Sequence, residues 1–211
     1  MSPNHVAWLD LSEGAALAER LDAVLEDEGP RVVVLDASHG IGQAALAAHP
    51  DISGHPLPVV FVFESSLSGP ASEVALAADI RIAGAKAALA GPLRSTRRLQ
   101  TLTRGQPEAA AWFDGIDPVP AERLLKAGLV NSVTQPGEAH LEARRVADVI
   151  ASRGPIATRL AKEAIWRGLP QPLEQALRFE TDLTLLLQTT KDRAEGVRAF
   201  LEKRQPVFKG E

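Results

Sequence analysis

Glu73 is the residue of this 211-residue chain whose setting most invites chemistry. It stands in Pro70 to Asp79 (PASEVALAAD), a short helical pattern. An apolar run precedes it, Leu57 to Phe63 (LPVVFVF), whose β-branched and aromatic residues predict a buried strand. Ile80-Arg81-Ile82 then returns to strand. A strand that turns tightly into a helix start aims backbone N–H groups and the positive end of the helix dipole at one spot. A carboxylate one turn in could move a proton there; the plain alternative is a helix-start carboxylate satisfied by the dipole. Glu64, Ser65 and Ser66 fill the connecting turn, and could line a site or serve the turn's own hydrogen bonds. His39 is a second acid/base candidate, or an exposed loop histidine. Beside it, Gly40 and Gly42 could offer N–H groups to a ligand oxygen. Arg94, Arg97, Arg98 and Arg104 could meet phosphates, or cover a solvated helix face.

Composition removes several chemistries. There is no cysteine, so disulfides, thiolate metal sites and a cysteine nucleophile are excluded, and no metal site is expected. There is no tyrosine to act as an acid or an oxyanion donor. A net charge of −4 gives nucleic-acid binding little support. No apolar run approaches a membrane span, and MSPNHVAWLD lacks a charged-then-apolar signal pattern. The expectation is a cytoplasmic protein with neither nucleic acid nor membrane as partner.

The elements that must position these residues read as follows. Val6 to Leu11 is a short strand, and Ser12 caps a helix running to about Asp27 with Glu13 in its first turn. Arg31 to Leu35 is a strand buried on both sides. Asp36 to Pro56 is loop-like, with one or two helical turns at Gln43 to Ala48. Beyond the central stretch, Ala85 to Ala90 is a strand or packed turn, and Pro107 to Phe113 and Pro120 to Ala127 are helices. Gly128 suits the C′ position, and Leu129 to Val133 is a strand. Four helices follow: Glu138 to Ser152, Ile156 to Arg167, Leu173 to Gln188 and Lys191 to Lys203, with Thr190 capping the last. The division is an α/β core of short ββα-like units over 1–137 and a helical, oligomerising region over 138–211. Leu173, Leu177, Leu183, Leu186, Leu187, Val197, Phe200 and Leu201 exceed what surface-lying helices need.

Four ordered segments resemble one family. Pro58 to Ala83 is similar to the central signature of the enoyl-CoA hydratase/isomerase (crotonase) superfamily, above all in EVALAADIRIA. Ala121 to Val133 (AERLLKAGLVNSV), Gly154 to Ala164 (GPIATRLAKEA) and Glu195 to Phe208 (EGVRAFLEKRQPVF) resemble later family segments. The resemblance implies an α/β crotonase (ClpP-like) fold of stacked ββα units with a C-terminal helical region, and a homotrimer or hexamer. It implies a CoA thioester as substrate or ligand, with no other cofactor, and an oxyanion hole of two backbone N–H groups. By the same resemblance Lys203 and Phe208 lie where family members often meet CoA across a subunit boundary, and the phosphates that the arginines around Arg97 could meet would be those of CoA.

The departures fall on the chemistry. The family's glycine triplet corresponds to Gly69-Pro70-Ala71, and its oxyanion N–H position falls on Pro70, which has none to give. Proline nevertheless suits the first helical turn. Glu73 lies at one of the two hydratase glutamates; the other position carries Leu93, after Pro92. The Asn-Gly turn is replaced by Glu64-Ser65, and the first oxyanion loop is reduced to Ser38-His39-Gly40-Ile41-Gly42. Two readings stay open. One is an enzyme of reduced machinery doing enolate-type isomerisation, dehydration or hydration on an acyl-CoA or acyl-carrier thioester. The other is an inactive thioester-binding or accessory subunit working with a partner enzyme, for example in polyketide or fatty-acid synthesis.

Overall fold

The β-branched runs form the centre of a five-stranded parallel sheet in a computed structural model that describes residues 5–12, 16–27, 29–47, 49–93, 102–103 and 117–211. Its strands are β1 (Val6–Asp10), β2 (Val32–Asp36), β3 (Val59–Phe63), β5 (Ile80–Gly84) and β8 (Ser132–Thr134), in the order β1-β2-β3-β5-β8. Every residue of β2 and β3 is buried, as the unbroken apolar runs require of strands covered on both faces. The register sets Val33 beside Val59, Val60 beside Ile80 and Ile82 beside Ser132. Because the strands are parallel, Asp10, Asp36, Phe63, Gly84 and Thr134 end at the same edge. A smaller sheet joins β4 (Leu67–Ser68) to β6 (Ala88–Ala90) in parallel and β6 to β7 (Val119–Pro120) antiparallel.

Among the described residues the helices are α1 (Leu17–Glu26), α2 (His49–Gly54), α3 (Pro70–Ala77), α4 (Ala121–Lys126), α5 (Ala139–Ala151), α6 (Pro155–Gly168), α7 (Leu173–Gln188) and α8 (Lys191–Leu201). Gly128 has φ +75° after α4, and the Thr190 hydroxyl accepts the Arg193 N–H at 3.2 Å, as a C′ glycine and an N-cap should. Ser12 does not cap α1. Its N–H and hydroxyl both donate to Asp10 Oδ1, at 2.8 and 2.7 Å, and α1 opens at Leu17 with Ala16 before it. The Asx turn at the end of β1 captured the serine locally. The stretch from Asp36 to Pro56 holds a 3₁₀ turn, Gln43–Ala45, and all of α2, more helix than its glycines foretold. Glu13 and the expected helix Pro107 to Phe113 lie outside the described residues.

The chain divides into two compact units, Met1–His55 with Val59–Asp148, and Pro56–Pro58 with Val149–Glu211. α5 runs from the first unit into the second, and buries Ala139, Ala143 and Ala147 at four-residue spacing. In the second unit the C-terminal tail is tied to α8 by two carboxylates. Asp192 accepts the N–H groups of Lys209 and Gly210 at 2.7 and 2.9 Å. Glu195 holds the Arg204 guanidinium at 2.6 and 2.9 Å and the Val207 N–H at 3.0 Å, which pushes its carboxyl down to about 2.

Candidate functional site

The signature after β3 is built to start α3 at one place. Gly69 takes φ +51°, open to glycine, and its N–H donates to the Ala90 carbonyl at 3.0 Å. Pro70 is the first helical residue. Ser72 is fully buried: its hydroxyl reaches the carbonyls of Leu67 (3.0 Å) and Ala90 (2.8 Å) and accepts the Ala90 N–H (3.3 Å), joining α3 to β4 and β6. Glu73, 9% exposed, sits in the first turn with its N–H on the Gly69 carbonyl at 3.2 Å. Of the first three residues of α3, only Ala71 and Ser72 have N–H groups to turn toward a ligand, since such groups have no partner inside the helix and Pro70 has none. The rest of the motif is structural. Asp79 accepts the Val59 N–H at 2.8 Å, and buried Arg81 donates to the carbonyls of Leu129 and Ala78, each at 2.5 Å.

The loop after β2 is fastened by its own backbone. Gly40, at φ +104°, donates its N–H to Ala37 at 3.0 Å, and Gly42 donates to Leu11 at 2.7 Å. Both amides are thus bonded to backbone carbonyls. Gln43 and Ala44, opening the 3₁₀ turn behind them, have N–H groups without a partner inside that turn. His39 is 74% exposed at the loop tip, with Nδ1 3.6 Å from Asp10 Oδ2.

Glu64 reaches the start of α5. Its Oε1 accepts the Ala139 N–H at 2.9 Å and its Oε2 the Gly137 N–H at 3.2 Å, so it closes the N-terminus of α5. It lies across Gly84, where a Cβ would stand 2.8 Å from the Glu64 carboxyl carbon. Ser65 and Ser66 are exposed in the turn that follows. Gly91-Pro92 is a cis peptide, and Leu93 closes the described part of that segment. Arg97 lies outside the described residues. Lys203 and Phe208 belong to the second unit. Lys203 is exposed, at φ +53° beyond α8, and Phe208 lines an apolar cavity of about 350 Å³ with Leu187, Val197 and Phe200.

A cluster that the motifs did not mark gathers at the sheet edge around Asp36, which is 4% exposed. Its carboxylate accepts from Trp8 Nε1 (3.0 Å), the Ser38 N–H (2.9 Å) and His140 Nδ1 (3.2 Å). Burial alone would raise its pKa; hydrogen bonds from Ser38, Trp8 and His140 outweigh that and hold it below the ordinary 3.8. The His140 ring lies 4.3 Å from that of Trp8, and the Arg144 guanidinium stands 5.2 Å over the same indole. An ionisable residue closing an otherwise apolar strand was the one signal in the sequence for this cluster. Among the described residues no group of three histidine or carboxylate side chains could hold a metal ion, and no helix is long and apolar enough to cross a membrane.

Comparison with known proteins places this geometry. The family model for enoyl-CoA hydratase/isomerase matches residues 36–211. The (E)-benzylidenesuccinyl-CoA hydratase of Thauera aromatica is 33% identical, over 98% of this chain and 96% of its own. That alignment runs to 251 positions against a chain of 211, so the relative carries segments that this chain lacks. The short-chain-enoyl-CoA hydratase of Clostridium acetobutylicum is 32% identical over 70% of this chain, and YngF of Bacillus subtilis is 37% identical over 74%. The chain spans 60% and 63% of the lengths of those two. The crystal structure of enoyl-CoA hydratase from Bacillus anthracis superposes with a TM-score of 0.83 at 30% identity, covering 98% of this chain and 96% of that one.

Proposed function

The chain belongs to the enoyl-CoA hydratase/isomerase family, and from that premise we propose that it binds an acyl-CoA thioester at the start of α3 and moves a single proton there with Glu73. The supporting observation is a buried carboxylate in the first turn of a helix whose leading residue is proline. A hydratase must both deprotonate a water and protonate a carbon, work for two carboxylates. Here the second family position carries Leu93. One carboxylate suffices for isomerisation. Glu73 takes a proton from C2 of a 3-enoyl thioester, the charge spreads onto the thioester oxygen, and the same carboxyl returns the proton to C4. The double bond moves from C3–C4 to C2–C3, and atoms balance without water. The Ala71 and Ser72 N–H groups and the α3 dipole would carry the oxyanion. Losing one such donor typically costs about 3 kcal/mol of transition-state stabilisation, so turnover is expected to be slow. CoA is substrate, not cofactor.

The test is to follow isomerisation of a 3-enoyl-CoA and hydration of a 2-enoyl-CoA by wild type and Glu73→Gln. Isomerisation should fall about 10²- to 10⁴-fold in the variant, with hydration at background in both. Hydration as fast as isomerisation in the wild type would overturn the reading. Pro70 itself favours a second reading, a thioester-binding accessory subunit. That reading gains if neither reaction proceeds while calorimetry shows acyl-CoA binding.

A further inference from the structure

We propose that His140 is a positioning residue for the loop from Ala37 to Gly42, acting through Asp36; as a statement about function this rests on the thioester-binding reading above. Asp36 is the hub of that loop. One carboxylate oxygen takes the Ser38 N–H at 2.9 Å, and the other takes Trp8 Nε1 at 3.0 Å and His140 Nδ1 at 3.2 Å. Its carbonyl takes the Leu11 N–H at 2.8 Å, and the Leu11 carbonyl takes the Gly42 N–H at 2.7 Å. The next residue, Ala37, donates to Val62 at 2.9 Å and accepts from Gly40 at 3.0 Å. The start of the loop is thus set by one side chain, through the Ser38 N–H, and its far end by backbone bonds that run through Leu11 to the same residue. An ionised carboxylate only accepts, so His140 carries its proton on Nδ1 and holds Oδ2 in place. His140 is 50% exposed on its other side and reaches Asp36 from α5, more than a hundred residues away in sequence. Contact with Trp8 fixes the imidazole, and Glu64 fixes the turn of α5 that carries it. An α5 residue is thereby coupled to the loop that the family resemblance sets beside the thioester.

The experiment compares wild type, His140→Ala and His140→Asn, whose amide can donate from nearly the Nδ1 position. Two readouts are used: hydrogen exchange of the backbone amides of Ser38 and Gly42, and calorimetric binding of butyryl-CoA. His140→Ala should speed exchange at Ser38 about tenfold, with a smaller effect at Gly42, whose N–H a backbone carbonyl holds, and weaken butyryl-CoA by a similar factor, the worth of a hydrogen bond to a charged acceptor; His140→Asn should restore exchange and binding. Trp8→Phe, which removes the other donor on Oδ2 and keeps a ring, should shift exchange in the same direction and stands in if His140→Ala does not fold. Unchanged exchange in His140→Ala, or quickened exchange that His140→Asn fails to restore, overturns the proposal. A wild-type chain that binds no butyryl-CoA overturns the thioester reading instead, since the exchange comparison needs no ligand.

Discussion

At the scale of single residues, the candidate site is marked by how its backbone is fastened. Pro70 keeps the helix start that a glycine would give and withholds its N–H. Ser72, one residue before Glu73, is committed to three backbone groups, so it is a fastening rather than a nucleophile. Ser72→Ala should therefore lower stability by roughly 1–3 kcal/mol, the cost of stranding buried polar groups, and chemical denaturation measures it directly. Asp36 gives a pH signature. Its folded pKa lies below the ordinary 3.8, so the stability it contributes is fully present above that value and is lost as pH falls through the folded pKa. Asp36→Asn should be less stable than wild type at pH 7, by about 1.5–3 kcal/mol for a charged acceptor with several donors. The gap between their melting temperatures should close below about pH 4. A gap that stays constant from pH 7 to pH 3 would show that the native carboxylate is not specially stabilised.

Elements are where the sequence was most readable, and also where its limits have a physical cause. β2 and β3 were visible because continuous β-branched runs suit only a strand covered on both faces, and α3 because proline and glycine mark its start. The helices after Glu138 kept their apolar periodicity and their separators, and were found to within a few residues. The start of α1 was not, because Ser12 is held in a turn at the end of β1 by its bonds to Asp10 and the helix opens only at Leu17. The place of Glu73 in the candidate site was legible from local pattern. The tasks of Glu64 and Asp36 were not, since their partners Ala139 and His140 lie 75 and 104 residues away. The Glu64 contact is testable as a unit. Gly84→Ala places a Cβ against the Glu64 carboxylate and must drive it off the α5 start. A loss of roughly 1–2 kcal/mol is expected, the range for removing a helix cap. Glu64→Ala alone should cost a similar amount, and the double variant much less than the sum, because each change breaks the same contact. Strict additivity in urea unfolding would mean that the two residues act separately.

At the scale of the whole molecule, the second unit carries exposed apolar side chains on two helices. α7 buries Leu183 inward while Leu173, Leu177, Leu185 and Leu186 remain exposed on it. α8 buries Ala199 and leaves Phe200 82% and Leu201 74% exposed, and Val197 and Val207 are exposed as well. Helices with apolar side chains both inside and outside have more to bury than one fold can cover, and contiguous apolar surface of this kind marks an interface in soluble proteins. The lining of the cavity around Phe208 is part of the same surface, since Val197, Phe200 and Leu201 belong to both. Self-association through α7 and α8 is the expected outcome, closed at three or six copies if this chain assembles as the family resemblance implies. Sedimentation equilibrium at micromolar concentration should then give a mass several times 22.5 kDa. Phe200→Asp with Leu201→Asp should reduce it to that of the single chain with the circular dichroism of the helices retained, because an exposed pair removed from an interface leaves the fold of each copy alone. A wild-type chain that sediments as a monomer, or a double variant that unfolds instead of dissociating, would assign those side chains to the unit's own stability.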